Sequence, residues 1–331
     1  MAVLVTGGAG YIGSHMVWRM LDQGEDVVVL DRLSTGFDWA VPAEAELILG
    51  DIADQALVEE TIARRGIDAI IHFAGSIVVP DSVADPLGYY LNNTVKSRAL
   101  IESAVRCGVP HFIFSSTAAV YGTPETSPVA EGAALQPESP YGTSKLMTEI
   151  MLRDAAAAHD LAYTVLRYFN VAGADPGLRT GQSTKGATHL IKVAAEAATG
   201  KRAGMDVFGT DYPTPDGTCI RDYIHVSDLA DAHAAALARL RAGGASITAN
   251  CGYGKGYSVL EVIDAVKRVT GRDFEIRLGE RRAGDAVSIV ADPALAKAEF
   301  GWRPRFDDLD TIVSHAVRWE EHLRVANSGK A

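Results

Sequence analysis

Short apolar segments alternate with longer segments of helical periodicity through the first half of the chain. The predicted strands are apolar without a polar alternation: Ala2–Thr6, Asp26–Asp31, Glu46–Leu49, Ala69–Phe73, His111–Ser116 and Tyr163–Tyr168. The predicted helices between them include Ile12–Asp22, Ala56–Arg64, Tyr89–Arg106 and Tyr141–Ala158. Unbroken apolar strands are buried on both faces, and strands that alternate with helices form parallel crossovers. The pattern therefore predicts an α/β protein built on a doubly wound parallel sheet.

The residue composition and the order of predicted strands and helices change after about residue 170. Glycine, proline and threonine become frequent, as in Ala172–Gly186 and Gly209–Thr218, and strands no longer alternate regularly with helices. We therefore expect one domain over residues 1–170 and a smaller mixed α/β substrate domain over most of residues 171–331. Some segments of the second half are expected to return to the first domain.

Composition narrows the class of protein. The chain of 331 residues is 47% hydrophobic and 22% charged, and its formal net charge is −11. An acidic chain without a basic run is a poor partner for nucleic acid or an anionic membrane, so neither is expected. Cys107, Cys219 and Cys251 are too few and scattered for a disulfide framework, and no apolar run is long enough to span a bilayer. With no signal-peptide pattern at its start, the chain is expected to be cytoplasmic.

A glycine-rich turn follows the first predicted strand. The segment Thr6–His15 contains G-x-G-x-x-G, formed by Gly8, Gly10 and Gly13, and the wider G-x-x-G-x-x-G, which begins at Gly7. Glycines here allow a tight turn and let a pyrophosphate approach the N-terminus of the next helix. The motif alone is a weak signal, but its position between a strand and a helix indicates a Rossmann-type dinucleotide site.

Acidic residues at the ends of the next two predicted strands complete the dinucleotide signature. Asp31 lies 18 residues after the last glycine of the motif, where a carboxylate binds the adenosine ribose hydroxyls. It favours NAD, because a carboxylate repels the 2′-phosphate of NADP, although Arg32 beside it is a counter-signal. Asp51 and Ile52 are placed to contact adenine, and Asp51 fits a cap for the following helix nearly as well.

Tyr141 and Lys145 form the single Y-x-x-x-K of the chain. They open a predicted helix just after Ser139-Pro140, so that both side chains lie on one helix face. A lysine ammonium beside a phenol favours the phenolate and lowers the phenol pKa toward neutral pH. The fifth predicted strand ends in Ser115-Ser116-Thr117, which places hydroxyls at the carboxyl edge of the sheet, where parallel-sheet active sites lie.

Together these elements resemble the extended short-chain dehydrogenase/reductase superfamily, over a stretch from Val3 to about Trp302. Within that superfamily the chain is similar to the UDP-glucose 4-epimerase family. The segments that carry the resemblance are TGGAGYIGSH (6–15), HFAG (72–75), YYLNN (89–93), FSSTAAVYG (114–122), SPYGTSKLMTE (139–149), LRYFNVAGA (166–174), FGTDYPTPDGTCIRDYIHVSDLADAH (208–233) and RRAGD (281–285). The segment 208–233 is the most specific, because it goes beyond what cofactor binding demands.

The resemblance implies a 4-epimerase that interconverts UDP-glucose and UDP-galactose through a transient 4-keto sugar, with hydride passed to and from tightly bound NAD. Tyr141 is the implied base, Lys145 its electrostatic partner, and Thr117 the hydroxyl that relays the proton. The implied cofactor-binding residues are Gly7, Gly10, Tyr11, Ile12, Gly13, Asp31, Asp51, Ile52, Phe73, Ala74, Asn92, Ser115, Tyr141, Lys145 and Tyr168. The implied substrate-binding residues are Thr117, Tyr141, Phe169, Asn170, His189, Leu190, Phe208, Arg221, Tyr223, Arg282 and Asp285, of which the two arginines would clamp the diphosphate.

Residues near the implied site separate neighbouring activities. Related sugar 4,6-dehydratases carry an Asp-Glu pair after the active-site threonine, whereas this chain has Ala118 and Ala119, so dehydration has no acid or base. Ile289 matches the position that sets pocket size in the family, and its intermediate bulk favours glucose and galactose while leaving N-acetylhexosamines open. UDP-pentoses and UDP-uronates are alternative substrates, and a non-catalytic NAD-sensing regulator is a much weaker alternative.

Three further expectations come from the resemblance and its departures. Ile77 stands where family members often carry a lysine near the cofactor, and His189 stands where some relatives have asparagine. A pocket-wall or capping role for His189 is at least as expected as a catalytic one. The histidines include no H-x-x-x-H, and no metal is expected. The two long helices Tyr89–Arg106 and Tyr141–Ala158 are expected to pair with their copies in a four-helix homodimer interface.

Overall fold

The computed structural model describes residues 1–282 and 286–328. Its strands are β1 (Ala2–Thr6), β2 (Asp26–Asp31), β3 (Glu46–Leu49), β4 (Ile67–His72), β5 (His111–Thr117), β6 (Ala162–Tyr168), β7 (Asn170–Ala172), β8 (Gly204–Phe208), β9 (Ile220–His225), β10 (Ile247–Cys251), β11 (Gly256–Ser258), β12 (Glu275–Gly279) and β13 (Ser288–Ile289). Its helices are α1 (Tyr11–Asp22), α2 (Gln55–Arg65), α3 (Val79–Ala84), α4 (Pro86–Tyr89), α5 (Lys96–Arg106), α6 (Pro140–Ala158), α7 (Leu190–Ala198), α8 (Val226–Arg241), α9 (Val259–Thr270), α10 (Ala294–Phe300) and α11 (Leu309–Ser328). Short 3₁₀ turns cover Asp38–Ala40 and Ala118–Val120, and a π-helical segment covers Tyr90–Val95.

The main sheet has seven parallel strands in the order β10-β6-β5-β4-β1-β2-β3. The chain runs from β1 outward to β3 and then crosses back to β4, on the other side of β1. Ligands of doubly wound sheets bind in the crevice at such a reversal, beyond the carboxyl ends of the strands. The predicted doubly wound α/β fold is confirmed.

Alternate side chains of the central strands pack against two helical layers. On β1, Val3 and Val5 join the hydrophobic cluster that contains residues of α1 and α8, whereas Leu4 joins the cluster that contains residues of α2, α5 and α6. All three side chains are fully buried. Burial on both faces explains why these strands carry unbroken apolar runs instead of an alternation.

The second half of the chain builds smaller sheets and also completes the large one. Strand β10 pairs in parallel with β6, so a segment from residues 247–251 forms one edge of the main sheet. Strands β11, β9 and β13 form a second sheet, in which β7 also pairs with β9, and β8 pairs with β12. The antiparallel β11–β9 pair makes this region mixed. Helices α7, α9 and α11 pack against one another beside it.

The predicted helix Tyr89–Arg106 is interrupted. Helix α4 ends at Tyr89, the π-helical segment Tyr90–Val95 follows, and α5 begins at Lys96. Helix α6 forms as expected and begins at Pro140, because the Ser139 side chain caps it by accepting a hydrogen bond of 3.2 Å from the Gly142 amide. No helix in the described part of the chain is both long and apolar enough to cross a membrane.

Candidate active site

The glycine-rich turn lies at the reversal of strand order, and its glycines have different tasks. Gly7 has a φ of +72°, and a Cβ there would lie 2.6 Å from the backbone nitrogen of Ala74, just beyond β4. A Cβ on Gly13 would overlap the carbonyl oxygen of Gly7, so Gly13 lets α1 approach β1 closely. Gly10 occupies the N-cap of α1 and leaves the first amides of the helix open to an anion. The turn is thus shaped to hold a pyrophosphate.

Other predicted cofactor residues surround this turn. Tyr11 and Ile12 form the first turn of α1, and the Tyr11 hydroxyl donates a 2.7 Å hydrogen bond to the Gly173 carbonyl. Phe73 follows β4 and donates its amide to the carbonyl of Thr6, at 3.0 Å, beside the glycine turn. These residues of β1, α1 and β4 therefore share one edge of the sheet, as the dinucleotide hypothesis requires.

Asp31 ends β2 and is tied to the glycine turn. Its Oδ2 accepts a 3.0 Å hydrogen bond from the Ala9 amide, and its Oδ1 accepts one of 2.8 Å from the Leu33 amide. The carboxylate thus stands beside the turn at the carboxyl end of the second strand, where an adenosine ribose is bound in this type of site.

The counter-signal from Arg32 is neutralised in the structure. Its guanidinium donates to Asp51 Oδ2 at 3.2 Å and to Asn92 Oδ1 at 3.3 Å, and Lys96 also donates to Asp51. Burial raises the pKa of Asp51, but these cations and the Ala53 amide outweigh it, so the pKa is lowered. Arg32 is therefore engaged with a carboxylate, which supports NAD over NADP.

The structure separates the two interpretations of Asp51. Helix α2 is capped by Asp54, whose Oδ1 accepts a 3.1 Å hydrogen bond from the Leu57 amide. Asp51 instead accepts from the Ala53 amide, at 3.0 Å, in the turn before that cap. The neighbouring Ile52 is buried among the core residues of the sheet. Asp51 is thus a charged group at the end of β3 and not the cap of α2.

The predicted catalytic residues meet at the end of β5. Helix α6 buries Tyr141 and Lys145 against this strand end, where the Thr117 hydroxyl is the neighbour that acts to lower the pKa of the Tyr141 phenol. The Lys145 ammonium donates a 2.9 Å hydrogen bond to the Ser115 carbonyl, and the Ser115 hydroxyl is hydrogen-bonded to the Tyr168 hydroxyl. Hydroxyls and an ammonium thus converge beside the proposed dinucleotide crevice.

The electrostatics of this cluster differ from the expectation for its phenol. Burial lowers the pKa of the Lys145 ammonium to about 8. Burial also raises the pKa of the Tyr141 phenol, although the neighbouring Thr117 hydroxyl acts in the opposite direction. The expected lowering by Lys145 is not found, because the ammonium is directed to the Ser115 carbonyl. Tyr141 therefore holds its proton at neutral pH in this structure.

A buried ion pair, which the sequence did not predict, lies further along the same face of α6. Glu149 lies four residues after Lys145 and is 6% exposed, and Arg167 on β6 is 5% exposed. Arg167 Nε donates to both Glu149 oxygens, at 3.1 and 3.2 Å, and the Ser116 hydroxyl donates to the same carboxylate. The repeat of polar residues at 141, 145 and 149 along one helix face was the available signal.

Asn93 is a further residue near the site that the sequence did not predict. Its Oδ1 accepts a 2.7 Å hydrogen bond from the Ser76 amide, and its Nδ2 donates to the Ser76 carbonyl at 2.9 Å and to the Ser144 hydroxyl at 3.0 Å. It links the loop after β4 to the turn of α6 that carries Tyr141 and Lys145. The predicted Asn92 donates instead to the Ser76 hydroxyl, at 2.9 Å.

Several predicted substrate residues surround one small cavity in the second half of the chain. Asn170, His189, Leu190 and Tyr223 all line it. His189 precedes α7 without capping it through its side chain, and its Nδ1 lies 2.9 Å from the Gln182 Nε2. Burial lowers the pKa of His189. The side chain is thus a largely neutral wall of this cavity at physiological pH.

The remaining predicted substrate residues lie in two further places. Phe169 packs in the apolar cluster that contains Ala118 and Ile289, close to the Thr117 end of β5. The Arg282 guanidinium stacks on the Phe208 ring, 3.8 Å from its centroid. Arg221, on β9, donates hydrogen bonds of 2.8 and 2.9 Å to the carbonyls of Ala286 and Ile220. The predicted residue Asp285 lies outside the described residues.

The described residues were also compared with the ligand sets that bind metal ions. Among residues 1–282 and 286–328, no three or more His, Cys, Asp or Glu side chains are grouped so that they could hold a metal ion. The site as described thus combines a dinucleotide crevice with a tyrosine, a lysine and a threonine. This combination defines a dinucleotide-dependent enzyme that moves a hydride and a proton at a substrate hydroxyl.

The chain belongs to the NAD dependent epimerase/dehydratase family, whose model matches residues 3–252. A UDP-glucose 4-epimerase of Azospirillum brasilense is 54% identical over 97% of this chain and 92% of its own length. The structure of a Brucella ovis UDP-glucose 4-epimerase in complex with NAD matches with a TM-score of 0.93 and 45% identity, over 96% of this chain and 97% of that one. A UDP-Glc/GlcNAc 4-epimerase of Campylobacter jejuni matches with a TM-score of 0.85 and 47% identity, over 97% and 99%. The predicted family and the predicted cofactor NAD are confirmed.

Proposed function

We propose that this chain is an NAD-dependent 4-epimerase that interconverts UDP-glucose and UDP-galactose. The observation that carries the proposal is the pair of hydroxyls of Tyr141 and Thr117 beside the buried Lys145. This group lies at the carboxyl edge of the sheet, next to the proposed dinucleotide crevice. Ala118 and Ala119 follow Thr117, so dehydration has no carboxylate next to this hydroxyl pair. The 54% identity to an epimerase over nearly the whole chain supports the same conclusion.

The proposed chemistry assigns one task to each residue of the cluster. NAD, when bound, would supply the hydride acceptor and donor for sugar carbon 4. Tyr141 would take the proton of the 4-hydroxyl as a phenolate, which the positive charge of bound NAD would favour over the neutral phenol, and Thr117 would relay that proton between the sugar oxygen and the phenolate. Lys145 holds a positive charge near that oxygen and orients the nicotinamide ribose. The 4-keto sugar would turn over in the pocket, and the same residues would return the proton to its oxygen on the opposite face.

The second half of the chain is proposed to hold the nucleotide. Arg221 and Arg282 offer planar guanidinium groups, which suit bidentate contact with a diphosphate. Phe208 offers a ring for packing against the uracil, and Asn170 stands at the start of β7 near the sugar end. Asp285 keeps its predicted role at the uridine ribose.

The sugar pocket is proposed to have an apolar wall. Ala118, Phe169 and Ile289 lie in one hydrophobic cluster next to Thr117. Isoleucine is smaller than an aromatic residue but bulkier than alanine, so a hexose fits and an N-acetyl group competes for space. UDP-N-acetylhexosamine is the second candidate substrate, and the 47% identity to the Campylobacter jejuni enzyme favours testing it.

A homodimer through the outer faces of α6 and the π-helical segment is part of the proposal. Leu91, Val95, Met147 and Ile150 are between 40% and 54% exposed on these two elements. The Thr94 hydroxyl lies 3.9 Å from the Met147 sulfur, so the two apolar faces are continuous. Contiguous apolar surface of this kind marks an interaction site.

Native mass spectrometry should give twice the 35.1 kDa chain mass. Leu91→Lys should halve the measured mass, whereas Leu278→Lys on β12 should not.

A cytoplasmic location also remains part of the proposal. Cys107, Cys219 and Cys251 are all free thiols in the structure. Free thiols suit a reducing compartment, where disulfides do not persist.

The deciding experiment is incubation of the purified protein with UDP-galactose and no added cofactor. UDP-glucose should form, because the chain retains NAD and the reaction consumes none. Tyr141→Phe should bind UDP with unchanged affinity but lower kcat by about 10²- to 10⁴-fold, the size of a lost acid–base contribution. If UDP-glucose fails to form even with NAD added, the glucose–galactose proposal is wrong, and UDP-N-acetylglucosamine is the next substrate to test.

A further inference from the structure

A compact loop separates two of the proposed nucleotide-binding residues. Residues 209–217 connect Phe208, at the end of β8, to the segment that leads into β9 and Arg221. The loop is closed by a 2.9 Å hydrogen bond from the Tyr212 amide to the Gly217 carbonyl. Its position therefore determines how the Phe208 ring stands relative to the rest of the nucleotide site.

Arg281, two residues after the end of β12, holds this loop through hydrogen bonds and a ring contact. Its Nε donates a 2.6 Å hydrogen bond to Asp211 Oδ1, and a second guanidinium nitrogen donates to the Asp211 carbonyl. The guanidinium also lies 4.1 Å from the ring centroid of Tyr212. A Cβ on Gly209, which has a φ of +79°, would lie 2.8 Å from Arg281 Cγ, so the close packing requires glycine there.

The neighbouring arginine completes the arrangement. Arg282 stacks on Phe208, at 3.8 Å from the ring centroid, while Arg281 holds the loop that begins directly after Phe208. Two consecutive arginines thus connect the segment after β12 with both the ring and its loop. A planar guanidinium suits these contacts, because it donates hydrogen bonds from its edge while its face stacks on a ring.

We infer that Arg281 is a positioning residue for the nucleotide of the substrate. It fixes loop 209–217 and thereby holds Phe208 and Arg282 in the geometry that receives UDP. The inference rests on the proposed function, since the ligand is taken to be a UDP-sugar. Arg281 does not touch the reacting atoms, which lie with Tyr141 at the end of β5, so its loss should weaken binding and leave the chemical step unchanged.

An ordinary surface ion pair is the competing explanation. The side chains of Arg281 and Asp211 are 42% and 73% exposed, and exposed ion pairs stabilise a fold only slightly. That weakness helps the test, because removing the pair should not unfold the protein. Arg277 is a matched control: it is 48% exposed and pairs with Asp206, at 2.8 Å, across β12 and β8.

The test compares UDP affinity and steady-state kinetics of the purified NAD-loaded protein. Arg281→Ala should raise the Kd for UDP and the KM for UDP-galactose about tenfold, as expected when a preorganised site is loosened. Its kcat should stay within about twofold of wild type, its melting temperature should be unchanged, and Arg281→Lys should recover only part of the affinity. Arg277→Ala should match wild type in every measurement.

Asp211→Ala distinguishes positioning from direct contact, because it removes the side-chain acceptor that Asp211→Asn would keep. If Arg281 positions the loop, Asp211→Ala should weaken UDP binding, by less than Arg281→Ala does, because the Asp211 carbonyl and the Tyr212 ring still contact the guanidinium. The double variant should be no weaker than Arg281→Ala. Unchanged affinity in Asp211→Ala beside weakened binding in Arg281→Ala would mean that Arg281 binds UDP directly, and unchanged affinity in Arg281→Ala would mean a surface ion pair. Either result overturns the inference, as does a wild-type protein that fails to bind UDP. A protein that binds UDP but converts no UDP-galactose would contradict the proposed function alone.

Discussion

At the scale of a single residue, burial of the Lys145 ammonium in the proposed active site lowers the stability of the fold. Its ammonium is 3% exposed and its pKa is lowered to about 8 by burial, from 10.5 in the unfolded chain. The folded state therefore carries a penalty that is complete below pH 8 and disappears as the pH rises to 10.5. The penalty amounts to at most about 3 kcal/mol. We predict that Lys145→Met abolishes turnover and raises the melting temperature at pH 7, and that the difference shrinks toward pH 10.

A second buried lysine provides the control for this prediction. Lys192 is 4% exposed, but it is paired with Glu320 and donates a 2.7 Å hydrogen bond to the Gln182 carbonyl. Lys192→Met removes the nearer of the two cations from the buried Glu320 carboxylate and leaves Lys201 at 3.4 Å, which costs up to about 3–5 kcal/mol, so its melting temperature should fall. Calorimetry of both variants at pH 7 checks the pair. A lower melting temperature for Lys145→Met would show that its ammonium is satisfied and not penalised.

At the scale of elements, local patterns predicted the pieces that carry the cofactor. The strands β1, β2 and β3 begin and end where the sequence predicts, and the apolar runs of β1 and β2 are buried in the core. The turn around Gly7 and Gly13 was predictable because only glycine tolerates the approach of neighbouring backbone there. The position of β10 was not predictable, because its partner β6 lies about 80 residues earlier and parallel pairing leaves no local mark.

The interrupted helix shows why part of the site escaped prediction. Periodicity alone predicts one helix from Tyr89 to Arg106, but the backbone adopts a π-helical segment that contains Asn93. The polar atoms of this buried amide are matched to Ser76 and Ser144, which are distant in sequence. Tertiary hydrogen bonds of this kind override the helical period, and nothing within the segment announces their partners.

Asn93 gives the prediction that belongs to this scale. Asn93→Ala leaves the Ser76 amide and carbonyl without their partners, and each buried unpaired group costs about 1–3 kcal/mol. The melting temperature should fall, and kcat should fall with it, because the loop after β4 and helix α6 lose their link. Asn92→Ala is the neighbouring control, since Asn92 is half-buried, donates one hydrogen bond to the Ser76 hydroxyl and accepts one from the exposed Arg32. A smaller loss of stability is expected there, and equal losses would contradict the assigned role of Asn93.

At the scale of the whole molecule, buried histidines set the response to acid. Burial lowers the pKa of His15 to about 4, of His72 to about 3 and of His233 to about 4, from 6.5 in the unfolded chain. The native protein therefore keeps these rings neutral while the unfolded chain takes up protons below pH 6.5. Their contribution is fully present above pH 6.5 and is lost as the pH falls toward 4, by about 4 kcal/mol per pH unit for the three together.

Urea unfolding between pH 7 and pH 5 measures this loss. His233→Asn can still donate to the Leu229 carbonyl, which the His233 ring contacts at 2.8 Å, so it should fold. It should reduce the slope of the free energy of unfolding against pH by about 1.4 kcal/mol per pH unit, because one proton-binding site of the unfolded chain is removed. An equal slope in His233→Asn and wild type would mean that carboxylates, not these rings, control the acid limit.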